Sequence, residues 1–268
     1  MTAPLTRLLF GSRRAMRRWI ALAAAPVALL GALALSPWAP GAVDRPAARL
    51  AAGDAEGALG EWITLSQGWG PPELRAEAAW RAAQVATFEL RDPTRAEALL
   101  MRLLADWPQG PRAAEAQAAL ARLVAAQPER AQEAAGRLAA AAALSPGAPQ
   151  AGRWLLTAAR MRADAGDPLG SEGLFLQATA HPDSAGAAWL GLARIRLSAD
   201  PAQAYDAASR ALVAANHPDD ARVAQLAIAT ALEQLEGPGA ALAELDGLAG
   251  GDADASLTRR RERLRAAR

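Results

Sequence analysis

The sequence contains no cysteine, which excludes disulfides, thiol catalysis, thiolate metal sites and a lipid-modified N-terminal cysteine. It contains no lysine either: all 29 cationic residues are arginine. A phosphate-loop Lys, a Schiff-base Lys and a Ser–Lys dyad are therefore absent together. Aromatic residues make up only 4% of the chain. No stretch rich in Val, Ile, Thr and aromatics alternates with period two, so no sheet is expected. There are two histidines, His181 and His217, each directly before a proline. They hold the same place in successive repeats and are read as loop residues, with no third ligand nearby to complete a metal site. The nucleophile-elbow, dinucleotide, zinc-protease and EF-hand spacings do not occur. No catalytic, cofactor-binding or metal-ligating residue is singled out, and neither a cofactor nor a small-molecule substrate is expected.

Alanine supplies 75 of the 268 residues. It is the best helix former and a poor strand former, so the fold class is all-α. The net charge of +1 hides an asymmetry. The first 18 residues carry five Arg and no acid, and the last twelve carry six Arg and one Glu. Residues 44–256 carry 18 Arg against 27 acids, close to −9. An acidic body of this kind excludes nucleic acid as a partner.

The basic segment 1–18 is followed by an apolar run, 19–43, bracketed by Trp19 and Trp38. Nineteen helical steps span roughly 29 Å, close to the ~30 Å hydrocarbon core, and tryptophans suit both headgroup regions. Positive residues stay on the cytoplasmic side. The expectation is a single-pass helix in a bacterial inner membrane, with the N-terminus cytoplasmic and the remainder in the periplasm. The alternative is a signal peptide cleaved after Ala32-Leu33-Ala34, which would leave a soluble periplasmic protein.

Pro72, Pro108, Pro146, Pro182 and Pro218 recur at intervals of 36 to 38 residues. Between them falls a second series of breaks: Gly53-Asp54, Asp92-Pro93, Gln127-Pro128, Gly166-Asp167-Pro168, Asp200-Pro201 and Gly237-Pro238. Asp caps a helix start and Pro fits its first turn. A fixed period of this size marks a helical solenoid, here about six helix-turn-helix hairpins over 46–249. The expected helices are 46–52 with 54–67, 72–90 with 93–106, 111–126 with 128–144, 148–165 with 168–180, 183–199 with 201–215, and 218–235 with 238–248. A basic capping helix follows within 250–268. The turn Gly250-Gly251-Asp252-Ala253-Asp254 is read as its cap.

Three columns recur on the second helices. Ala58, Ala96, Ala131, Ser171, Ala204 and Ala241 form the first. Trp62, Leu100, Ala135, Phe175, Ala208 and Leu245 lie four residues on, and Leu65, Leu103, Leu138, Ala178, Ala211 and Leu248 three further. Offsets of four and three keep them on one helix face. Trp80, Trp154 and Trp189 belong to the first helices and are expected to fill the core.

Trp80, Asp92, Ala96, Leu100, Leu103 and Pro108, and then Gly166, Asp167, Ser171, Phe175, Ala178 and Pro182, give the chain a family resemblance. It resembles the tetratricopeptide repeat family. The stretch Leu103–Ala116 is similar to envelope members of the outer-membrane assembly and Tol–Pal kinds, and an anchor with exported repeats is similar to the translocon-ancillary kind. The resemblance implies a non-catalytic scaffold whose first helices line a concave groove that takes a peptide or protein segment. On those helices Arg153, Arg160, Arg194 and Arg196 are candidates to hold an acidic or C-terminal segment, since Arg forks pair with carboxylates. The tail residues Arg259, Arg260, Arg261, Arg263, Arg265 and Arg268 suit a solvated capping helix, or contact with anionic lipid or an acidic partner. Two alternatives remain in view: a cell-wall-associated enzyme carrying a helical superstructure, and a structural spacer.

Overall fold

A computed structural model of the chain describes residues 43–247 and 255–267. Segment 1–18, all but the last residue of the apolar run 19–43, Leu248, the 250–254 turn and Arg268 lie outside the described residues. Among the described residues there are thirteen α-helices and no strand, and no helix is long and apolar enough to cross a membrane.

The helices are α1 Asp44–Ala51, α2 Ala55–Gln67, α3 Pro72–Gln84, α4 Pro93–Asp106, α5 Ala113–Val124, α6 Ala131–Leu144 and α7 Ala151–Asp164. They continue with α8 Pro168–Ala178, α9 Pro182–Arg196, α10 Pro201–Val213, α11 Pro218–Leu235, α12 Pro238–Asp246 and α13 Ala255–Ala266. The expected hairpins are therefore present, and α4 and α11 have the expected bounds. The chain divides into two compact bodies at Leu103–Leu104, in the last turn of α4.

The breaks form for the reasons the sequence suggests. The carboxylates of Asp54, Asp92, Asp167 and Asp200 each accept a backbone N–H from the first turn of the following helix, at 2.8 to 3.1 Å. These bonds satisfy donors that have no partner within the helix. Two of the carboxylates are held below their ordinary value. For Asp54 the main cause is the hydrogen bond from Arg49, followed by that from the Gly57 N–H. For Asp200 it is the Gln203 N–H.

In the N-terminal body α1 packs on α2 and α2 on α3. Leu59, Trp62 and Leu65 of α2 close on Ala78 and Ala82 of α3, with Val85 just beyond. After Gln84 the chain takes a π-helical turn, Val85–Glu89, which carries Phe88 outward to 65% exposure. The turn to α4 then needs a left-handed residue, and Arg91 takes it at φ 51°. In three other hairpins glycine holds that place: Gly53, Gly166 and Gly237, at φ 82°, 77° and 91°.

In the C-terminal body each helix from α5 to α13 packs on the next, and the first helices α7, α9 and α11 also touch their neighbours in that order. This is the nearest-neighbour packing of a solenoid. Every described member of the second and third columns is buried. In the first column Ala58, Ala96, Ser171, Ala204 and Ala241 are at most 1% exposed. The exception is Ala131, which is half-buried, while Ala134 is fully buried. Pro128–Arg130 form a 3₁₀ turn, so α6 begins at Ala131 and its buried small residue comes three positions later. The core tryptophans also need correcting. Trp80, Trp154 and Trp189 are half-buried rather than enclosed, and Trp189 meets α10 through the Arg210 guanidinium, 4.8 Å from the ring centroid.

Candidate functional site

Close packing through alanine brings α7, α9 and α11 side by side and leaves an open groove of about 660 Å³ along them, completed by Phe175 of α8 and Ala211 and Ala214 at the end of α10. Its lining positions on α11 are Asp220, Val223, Ala227 and Thr230, spaced as one helical face. On α9, Ala187, Leu190 and Gly191 lie at the middle of the groove. Gly191 is required there. Phe175 rises from α8 beneath it, and a Cβ on Gly191 would lie 2.4 Å from the ring. The ring itself is 3% exposed, so it supports the α9 backbone from below.

The charged lining residues divide by helix end. Arg160 and Asp164 sit in the last turns of α7, and Arg194 in the last turn of α9. Asp183 and Asp220 sit in the first turns of α9 and α11. Arg194 lies 3.6 Å from Asp164, with both side chains more than 70% exposed. Such a pair is worth under about 1 kcal/mol and exchanges readily for another partner. Among the described residues no oppositely charged side chain pairs with Arg160, Asp183 or Asp220.

Of the four arginines expected at a peptide groove, the structure brings together Arg160 and Arg194. Arg153 is exposed on α7 outside the lining. Arg196 turns to the second helix of the preceding hairpin, where its Nε donates to Glu172 at 2.8 Å. Asp183, Asp220, Leu190 and Val223 were not singled out from the sequence. The repeated His181-Pro182-Asp183 and His217-Pro218-Asp219 offered a signal for Asp183 alone, since its counterpart is Asp219 and the lining residue is Asp220. Both histidines are the loop residues that precede α9 and α11, as expected.

The basic tail docks as a cap. Leu264 is buried against Leu242 and Leu245 of α12 and Ala229 of α11. Arg261 is 8% exposed, donates to the Leu245 carbonyl oxygen and lies 3.3 Å from Asp246. Arg260 and Arg263 face Glu233 at 3.1 and 3.7 Å, and Arg265 faces Asp246 at 3.6 Å. Arg259 is exposed.

The N-terminal body has its own apolar groove of about 590 Å³, again on the first helices. Val43, Leu50, Leu74 and Phe88 line it, with Trp62 at its base. No group of His, Asp or Glu among the described residues is arranged to hold a metal ion.

No protein-family model and no curated protein matches the sequence. Among solved structures the chain is similar to BtubC (BKLC) from P. vanneervenii, at 17% identity and TM-score 0.48, over 84% of this chain and 91% of that one. It is also similar to a putative kinesin light chain of P. anserina with nearly identical TPR-like repeats, at 17% identity and TM-score 0.43, over 64% and 92%. A third likeness is to Acl4, an assembly chaperone of RpL4, at 18% identity and TM-score 0.41, over 83% and 94%. At these scores a likeness carries no weight for function.

Proposed function

We propose that the chain is a non-catalytic protein-interaction scaffold of the tetratricopeptide kind, which receives a segment of a partner protein in the groove of α7, α9 and α11. The observation that carries this reading is that groove: about 660 Å³, floored by small and apolar residues, open along its length and rimmed by charge. Pockets that bind specifically combine an apolar lining with a few placed polar groups. In both bodies the groove is lined mainly by first helices, and the second helices reach it through the column residues Phe175, Ala211 and Trp62. A photo-crosslinking residue placed at Leu190 in living cells is expected to trap a partner. The same residue at Gln203, exposed on α10, is expected to trap none. Equal trapping at the two positions would remove the groove from the account.

The basic segment 1–18 and apolar run 19–43 support placing the scaffold at a bacterial inner membrane with its hairpins in the periplasm. The absence of cysteine gives a clean test. Val213, 90% exposed, accepts a single reporter as Val213→Cys. An impermeant maleimide is expected to label it in unlysed spheroplasts; labelling only after lysis would put the hairpins in the cytoplasm.

A further inference from the structure

The groove of the C-terminal body is polar along its length, and we infer that its occupant is a short peptide segment with an apolar middle, a carboxylate at one end and a cationic residue at the other. This rests on the groove reading above and adds the chemistry and direction of what binds.

Helices α7, α9 and α11 are alternate members of an up-and-down stack with short connections, so they run the same way. Their carboxyl ends therefore share one end of the groove and their amino ends the other. The carboxyl end presents Arg160 and Arg194, and the amino end presents Asp183 and Asp220. From Asp183 to Arg194 is eleven helical steps, about 16 Å at 1.5 Å each. An extended chain advances about 3.3 Å per residue, so about five residues bridge the two ends. Between them the floor offers Ala187, Leu190 and Ala227, which suit small or aliphatic side chains and no charge.

The charges agree with this occupant in sign as well as place. Asp183 and Asp220 gain from the positive ends of α9 and α11, yet each carboxylate opens on the groove with no cationic partner among the described residues. Arg160 is likewise without an acidic partner, and Arg194 shares only the long, exposed contact with Asp164. A uniformly acidic segment would meet two unpaired carboxylates, and a uniformly basic one would meet the arginines. Only a segment with opposite ends satisfies both, in one of its two orientations.

Four end-capped fluorescent pentapeptides test the inference against the full chain by anisotropy: Arg-Leu-Ala-Leu-Glu, Glu-Leu-Ala-Leu-Arg, Arg-Leu-Ala-Leu-Arg and Glu-Leu-Ala-Leu-Glu. One of the two mixed-charge peptides is expected to bind about tenfold or more tightly than its reverse and than either like-charged peptide, as two charge-assisted contacts require. The double variant Asp183→Asn with Asp220→Asn is expected to erase its advantage over Glu-Leu-Ala-Leu-Glu. Equal binding of all four, lost on Ala187→Glu in the floor, overturns the polarity and leaves the groove reading standing. Binding indifferent to Ala187→Glu, or no binding by any of the four, overturns both.

Discussion

At the scale of the residue, two positions show what the hairpins ask of a side chain. The turn between paired helices requires a left-handed backbone in four hairpins. Glycine supplies it in three, and Arg91 must adopt it in the fourth. A non-glycine residue there costs of the order of 1–2 kcal/mol, of which glycine returns part as greater freedom in the unfolded chain. Arg91→Gly is expected to raise stability by about 0.5–1 kcal/mol in urea unfolding. A loss of stability would mean that the Arg91 side chain contributes more than its backbone costs. Gly191 is the opposite case, since its place is fixed by the Phe175 ring below it. Gly191→Ala is expected to destabilise by about 1–3 kcal/mol through overpacking, with much of the loss recovered by adding Phe175→Leu. No recovery would show that the ring is not what excludes a side chain.

At the scale of the element, helix bounds were legible because each break carries its own local chemistry. Such signals act within a few residues: α4 starts at Asp92-Pro93 with the carboxylate as its cap, and α11 starts at Pro218 after an uncapped His217, and both were read to their ends. The third hairpin lacks the cap Asp. Gln127-Pro128 opens a 3₁₀ turn instead, and the buried column slips from Ala131 to Ala134. Sequence spacing alone does not distinguish a 3₁₀ start from an α start, because both place proline first. The tryptophans were misjudged for a related reason: period and size indicate which helix face they occupy, not whether a neighbour covers them. The caps themselves predict an acid dependence. Asp54 and Asp200 titrate below their ordinary value near 3.8 in the folded chain, so their contribution is present above that value. It is lost as pH falls through the depressed folded value. Asp200→Asn is therefore expected to lower thermal stability at pH 7, by an amount that shrinks as pH falls through the depressed folded value of Asp200. A difference persisting undiminished at low pH would assign the effect to something other than the carboxylate.

At the scale of the whole molecule, the hairpins and their buried columns could be read from a single sequence, and the groove only in outline. Arg160 and Arg194 stood out as cations on first helices. Asp183 and Asp220 lie in first turns, where the helix dipole alone accounts for an acid, and only the packing of α9 between α7 and α11 turns both pairs toward one channel. Arg196 looked equivalent to Arg194 two residues away, but a helix rotates those positions by about 200°, which hands Arg196 to Glu172 on α8. The tail shows the same division. Its arginines suggested a charged surface, and the structure turns four of them onto Glu233, Asp246 and the end of α12, where they close the last apolar layer.

The central claim is that binding takes place on first helices and not on the second-helix surface. The measurement that tests it most directly is calorimetric titration of the partner segment trapped at Leu190 into the full chain and two variants. Ala187→Glu puts a charge on the groove floor, and Leu169→Glu puts one on α8 at a side chain 81% exposed. The account predicts an affinity loss of about tenfold or more for Ala187→Glu and a change of less than about twofold for Leu169→Glu. Unchanged affinity on Ala187→Glu together with a loss on Leu169→Glu would contradict it.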